Sequence, residues 1–120
     1  NIHLRGVAHS FTGSIPEAMG YIKLGFCIGL NGIITFSEEY DELVKTLPIN
    51  KILLETDDPW LTPEPYRGKR NEPSGVIDVA KRIAHLHNAP LEIITNYTFK
   101  NTTSLFKIRI SPKFEVRLVN

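Results

Sequence analysis

Only one cysteine, Cys27, stands among the 120 residues. One thiol cannot close an internal disulfide, so a disulfide-stapled fold is excluded, and the expected setting is the cytoplasm or another intracellular reducing compartment. Cys27 lies in an apolar stretch and reads as a small buried hydrophobe. Long hydrophobic runs are missing as well. No stretch reaches the roughly 18–20 apolar residues of a membrane span, and no signal peptide is visible, so no membrane partner is expected. Neither sign of charge dominates: fourteen Lys and Arg face thirteen Asp and Glu, for a net charge of +1. That balance excludes a global basic field drawing in nucleic acid, and any case for DNA or RNA must be local. There is no internal repeat and no low-complexity segment. The chain opens on Asn1 and not on Met, which leads to the expectation that it is a piece of something longer.

What is present is an alternation of short apolar runs and helical patterns. Residues 6–9 read as a short strand. Ser14 and Glu17 form an S-x-x-E capping box, opening a helix with Ala18, Ile22 and Leu24 as its apolar positions and Gly25 as its C′ residue. Residues 26–30 are a second strand, and 32–36 its irregular exit. Ser37 is placed to N-cap a second helix, with Glu38 and Glu39 favouring its dipole. Tyr40, Leu43, Val44 and Leu47 follow at helical spacing until Pro48. Residues 51–56 are the third strand. A third helix starts at Pro73 or Ser74, presents Val76, Val79, Ala80, Ile83 and Ala84, and breaks at Asn88 and Pro90. A fourth spans about residues 91–106, with Ile94, Tyr97, Leu105 and Phe106 apolar. The order β-α-β-α-β-α-α predicts an α/β fold with a parallel sheet and right-handed crossovers. Three strands cannot close a (β/α)8 barrel, which takes about 250 residues. Residues 107–120 leave the helical pattern; Ile108 and Ile110, then Phe114, Val116 and Leu118, alternate as strands do.

The chemistry-bearing residues cluster at strand ends. Leu53-Leu54-Glu55-Thr56-Asp57 is an apolar run closing in carboxylates, and barrel chemistry sits where such strands end. Alternation puts Leu53, Glu55 and Asp57 on one face. Asp57 is a candidate metal ligand, water-orienting group or turn cap. Asp58, directly before Pro59, reads as a turn residue. Glu55 lies deeper and needs a partner, which an Arg of the following loop is expected to supply; this makes it a supporting residue before a catalytic one. His9, ending the first strand, is a candidate metal ligand or proton carrier, or simply a hydrogen-bonded histidine at a junction. His3 is a weaker candidate, and His85 and His87 are expected to face solvent. Arg67, Lys69 and Arg70 with Gly68 precede a helix start, where backbone N–H groups favour an anion such as phosphate. Trp60 and Tyr66 flank the prolines of this loop, either to stack on a base or to pack the loop. Asn96 and Asn101 fit the N-glycosylation pattern by accident of a helical segment.

Together, Gly6-Val7-Ala8-His9-Ser10-Phe11-Thr12-Gly13, Leu53-Leu54-Glu55-Thr56-Asp57, Pro65-Tyr66-Arg67-Gly68-Lys69-Arg70-Asn71-Glu72-Pro73, and Asn101 with Leu105 and Phe106 make the chain resemble the C-terminal part of a TatD-family deoxyribonuclease. The likeness runs from about Gly6 to Phe106. It implies strands 6–8 and the C-terminal helices of a TIM-barrel metal-dependent hydrolase, incomplete in this chain, with residues 1–106 as the barrel portion and 107–120 as an extension of unknown role. It implies a divalent metal (Mg, Mn or Zn), DNA as substrate and phosphodiester hydrolysis, often exonucleolytic. By match, His9 and Asp57 are metal-site residues, Asp57 also taking a proton from the attacking water. Independently of the resemblance, the residues themselves point to Glu55 as a supporting group and to Arg67, Lys69 and Arg70 as phosphate contacts.

The departures bear on function. The family's His-x-His, bridging glutamate and strand-5 histidine lie upstream of the matched segment, so the missing N-terminal barrel half must come from the same parent chain or a separate polypeptide. Asp58 stands where the family usually has a small residue, and Trp60 where another aromatic or apolar residue is common. Two further readings stand beside the nuclease. One is a non-catalytic fragment or interaction module whose open strand edges need a partner. The other is a metal-dependent amidohydrolase or lactonase, against which the Arg67-to-Pro73 motif counts.

Overall fold

The computed structural model describes residues 5–110 and 116–118. Its centre is a parallel sheet of β1 (Gly6–Ala8), β2 (Phe26–Leu30) and β3 (Ile52–Leu54), in the order β1-β2-β3. Val7 pairs with Cys27 and Gly29 with Leu53, so the C-terminal ends of all three strands come out on one side. The predicted β-α-β-α-β-α-α order is present with one short helix added between β2 and β3, and the strand at residues 26–30 has its expected limits.

Local chemistry explains the helices. In α1 (Ile15–Lys23), Ser14 accepts from the Glu17 N–H while the Glu17 carboxylate accepts from the Ser14 N–H and hydroxyl, the reciprocal box the sequence implied. These bonds hold the Glu17 carboxyl below its usual range. Gly25, at φ 98°, lets the chain turn back into β2. Helix α2 (Ile33–Phe36) replaces the expected irregular exit from β2. Helix α3 (Asp41–Thr46) begins later than predicted. Ser37 makes no side-chain cap; its N–H closes α2 on the Ile33 carbonyl, and a 3-10 turn at Glu38–Tyr40 intervenes. Helices α4 (Val76–Leu86) and α5 (Leu91–Leu105) follow.

The core lies between the sheet and helices α1, α3, α4 and α5. Ala18, Ile28, Val44, Ile52, Ile83 and Ile94 have no exposed surface, each large one contributing about 1.5–3 kcal/mol through burial. Arg82 Nη2 of α4 donates to both carboxylate oxygens of Asp41 in α3, at 2.9 and 3.0 Å. Three apolar assignments fail. Leu24 is over half exposed because it is the C-cap, beyond the inward turn. Tyr97 and Phe106 face outward because the inward stripe of α5 is Ile94, Thr98, Asn101 and Leu105, two of them polar. Thr98 is buried by bonding the Ile94 carbonyl, and the Asn101 amide donates to the Ile49 and Ile52 carbonyls, tying α5 to the start of β3.

After α5, β4 (Ile108–Ile110) and β5 (Val116–Leu118) pair antiparallel, as the alternation suggested; Phe114 lies outside the described residues, as does His3. Among the described residues, β1 and β3 pair only with β2 in the parallel sheet. No described helix is long and apolar enough to cross a membrane.

Candidate functional site

Three chain segments meet where the parallel strands end: His9 and Ser10 after β1, Asn31 after β2, and Glu55 after β3. β3 stops at Leu54, shorter than predicted, but the Glu55 N–H still donates to the Leu30 carbonyl at 2.8 Å, carrying the ladder one residue on. This lays the Glu55 side chain over β2. A Cβ on Gly29 would stand 2.0 Å from Glu55 Oε1, so the carboxylate occupies the space a side chain there would need.

The Glu55 side chain is only 13% exposed, whereas that of His9 is 65% exposed. Oε1 accepts from His9 Nδ1 at 2.7 Å, and Oε2 from the Ser10 N–H at 2.8 Å. The partner expected for Glu55 was an Arg of the following loop; it is His9 and Ser10, delivered by the sheet from 46 residues away. An ionised carboxylate only accepts, so the proton of this bond sits on Nδ1, which in a neutral imidazole leaves the lone pair on Nε2. Carboxylate-held imidazoles of this kind are the usual form of a metal-ligating histidine. Nε2 has only a long 3.4 Å approach from Ser10 Oγ, beyond good hydrogen-bond length. Ser10 has φ 48°, a left-handed conformation that costs a residue with a Cβ. It is held by its bond to Glu55 and by Asn31, which is 2% exposed and donates Nδ2 to Ser10 Oγ at 3.2 Å while accepting from the Ile33 N–H. Sequence reasoning missed Ser10, Asn31 and Gly29 as parts of this arrangement. The available signal was a glycine inside the apolar strand Phe26–Leu30, a mark of close approach.

Asp57 is placed by a different device. Its φ of 57° breaks strand alternation, so it does not share a strand face with Leu53 and Glu55 as predicted. Its carbonyl accepts from the Trp60 N–H at 2.9 Å, closing a turn over residues 57–60. Among the described residues its half-buried carboxylate has no hydrogen-bond partner or ion pair. An imidazole with an open Nε2 and an unpartnered carboxylate are suitable donors for a Zn, Mn or Mg-type ion. Among the described residues, however, no three His, Cys, Asp or Glu side chains converge on one point. The structure brings Glu55 to His9 but makes no three-residue cluster with Asp57, so the described donors fit part of a ligand set.

The basic loop is stapled from inside. Asn71, 4% exposed, donates Nδ2 to the Thr56 and Trp60 carbonyls at 2.6 and 2.8 Å and accepts from the Glu72 N–H. Thr62 Oγ1 donates to the Lys69 carbonyl, and Arg67 Nη1 to the Thr62 carbonyl at 3.0 Å. The Arg67 guanidinium also lies 4.0 Å from the centre of the Phe36 ring, so it contributes to the loop's own structure. Lys69 and Arg70 are exposed and line a cleft of about 340 Å³ against the start of α4. Lys81 adds a cation there, and Glu72 and Asp78 add carboxylates.

The remaining candidates are structural. His87 is partly buried, contrary to expectation, and its Nε2 donates to the Val44 carbonyl at 2.7 Å; His85 is exposed. Cys27 is buried, and burial pushes its thiol pKa up despite nearby Lys51, the profile of an unreactive cysteine.

The sequence model described as "TatD related DNase" matches residues 1–107. A metal-dependent hydrolase of Bacillus subtilis (strain 168), YabD, is 44% identical over 86% of this chain and 41% of its own length. The metal-dependent hydrolase YcfH of Escherichia coli (strain K12) is 38% identical over 93% of this chain and 43% of its own. The crystal structure of YJJV, a TatD homologue from Escherichia coli K12, superposes with a TM-score of 0.80 at 31% identity, covering 87% of this chain and 41% of that one. The chain thus spans about two fifths of the length of these relatives.

Proposed function

The chain belongs to the TatD-related DNase family, and from that premise we propose that it supplies part of the active site of a divalent-metal-dependent nuclease hydrolysing DNA phosphodiesters, acting as an exonuclease. In this reading the parallel sheet is strands 6–8 of a (β/α)8 barrel, residues 107–120 are an extension, and the rest of the barrel comes from the same parent chain or a separate polypeptide. The length of the relatives, more than twice the matched segment, supports this.

The observation that carries the reading is the Glu55 carboxylate 2.7 Å from His9 Nδ1 at the sheet's C-terminal end. It presents Nε2 as a donor, and His9 and Asp57 would hold the ion. When bound, a divalent ion offsets the charge developing on phosphoryl oxygens and acidifies water. The Asp57 carboxylate accepts the proton of the attacking water. Lys69 and Arg70 draw the phosphate backbone to the loop that Arg67 and Asn71 stiffen.

The test is metal-dependent hydrolysis of DNA, beside amide and lactone substrates, by the complete protein and its His9→Ala and Asp57→Asn variants. Loss of DNA hydrolysis in both is expected; retained activity in either removes that residue from the metal site. A second reading, a non-catalytic interaction module, is favoured by the missing three-residue cluster among the described residues. Native mass spectrometry of the protein as isolated separates the two. A second, different polypeptide, or a parent chain long enough for a barrel, supports the enzyme, and a lone 13.6 kDa chain supports the module.

A further inference from the structure

Trp60 is the single tryptophan of the chain, and it is 70% exposed. An indole left in water forgoes the large gain that burial would bring, so the way it is held matters. The backbone beneath it is fixed. The Trp60 N–H donates to the Asp57 carbonyl and the Asn71 N–H to the Pro59 carbonyl at 3.1 Å. The buried Asn71 amide clamps the Trp60 carbonyl from inside. The turn is therefore closed by main-chain and Asn71 bonds, without help from the indole. Of the two roles the sequence left open, exposure of 70% sets packing among the described residues aside. The same turn presents Asp57, and the loop it opens carries the exposed cations Lys69 and Arg70.

We infer that Trp60 is a stacking platform for one unpaired nucleobase of the substrate, held in the turn that positions Asp57 while Lys69 and Arg70 receive the phosphates. The inference rests on the nucleic-acid reading above. An indole face accepts any base, since every base has a π-face. The contact therefore sets whether a base is present and unstacked, not which base it is.

The experiment uses the protein as isolated and its Trp60→Phe and Trp60→Ala variants. Binding of a labelled single-stranded oligodeoxynucleotide and of an abasic oligomer of equal length is read by anisotropy. The signal of Trp60 itself is the fluorescence difference between wild type and Trp60→Phe. The inference expects the base-bearing oligomer to quench that signal and the abasic one not to. It expects Trp60→Ala to weaken the base-bearing oligomer roughly ten- to hundredfold, to leave the abasic one unchanged, and Trp60→Phe to recover most of the loss. Equal binding of both oligomers without quenching overturns the stacking role and leaves the nuclease reading standing. Binding of neither overturns the nuclease reading and this inference with it. A blue-shifted signal inaccessible to acrylamide before any oligomer is added means another polypeptide covers the indole, and also overturns it. Because the side chain is largely exposed, thermal melts of the variants should stay close to wild type, which separates lost binding from lost folding.

Discussion

The ends of the parallel strands and the loop of residues 57–71 lie next to each other in the chain, yet they are built on opposite principles. At the strand ends, sheet register brings distant residues together, and the polar side chains satisfy one another: Glu55 with His9 and Ser10, Ser10 with Asn31. In the loop, one buried amide, Asn71, and one buried hydroxyl, Thr62, grip the backbone, while Trp60, Lys69 and Arg70 point into solvent. A ligand-bearing imidazole needs one fixed direction. A surface that meets a flexible polymer needs exposed chemistry on a stiff base. The difference teaches that rigidity at a site can come from paired side chains, which leaves one atom such as His9 Nε2 free, or from a pinned main chain, which leaves whole side chains free.

The two halves can be broken separately. The largest effect is expected from Asp57→Asn or His9→Ala, which should lower metal-dependent DNA hydrolysis by the complete protein by more than about a hundredfold, beyond the range for groups that merely orient ligands. Asn71→Ala attacks the loop instead. It strands the Thr56 and Trp60 carbonyls and should cost about 2–3 kcal/mol, seen as a lower urea midpoint and early proteolysis between residues 57 and 71. Glu55→Gln keeps the shape but removes the negative charge that faces His9 Nδ1. Metal affinity by titration calorimetry should fall roughly ten- to hundredfold with the loop's protease resistance unchanged; equal loss of both would merge the two regions into one.

Smaller effects sharpen the contrast with ordinary structure. Ser14→Ala should cost about 1 kcal/mol at pH 7 without touching metal or DNA binding. The sign of its pH dependence follows from Glu17. Its carboxyl is held low in the folded state by Ser14, so the stabilisation is present above the ordinary carboxylate pKa and is lost as pH falls through the lowered one. The gap between wild type and variant should narrow in acid without closing, since Ser14 Oγ still accepts from the Glu17 N–H, as read by urea unfolding over an acid-to-neutral pH series. Last, Arg70→Gln should reduce the salt slope of DNA binding by about one phosphate contact. Arg67→Gln should in addition lower loop stability, since its guanidinium also bonds the Thr62 carbonyl and lies over the Phe36 ring.

What was legible in the sequence was local or periodic. The capping box of Ser14 and Glu17 is a four-residue pattern, and the strand Phe26–Leu30 is a bounded apolar run, so both were found where they lie. The inward stripe of α5 was misread because two of its members, Thr98 and Asn101, are polar and buried only by virtue of their hydrogen bonds. Glu55 was correctly read as needing a partner, but its partner was misassigned. Proximity along the chain pointed to the arginines of the next loop, whereas a parallel sheet delivers the residue at the end of a strand 46 positions back. The conformation of Asp57 could not be read at all, because a left-handed φ at a non-glycine residue is imposed by the turn around it and leaves no compositional trace.

Gly29 has a consequence for how the chain reaches its native form. Strand β2 carries no candidate ligand, yet it sets the positions of both His9 and Glu55, and only at Gly29 is there room for the Glu55 carboxylate. If β3 docked one residue out of step, Glu55 would move by about 3.3 Å along the sheet and turn to the opposite face. Its charge would then meet the side chain of Ile28 or Leu30, with no histidine to receive it. The pairing that joins His9 to Glu55 therefore also proofreads the assembly of the sheet, and a chain that has registered wrongly is at once less stable and without that contact.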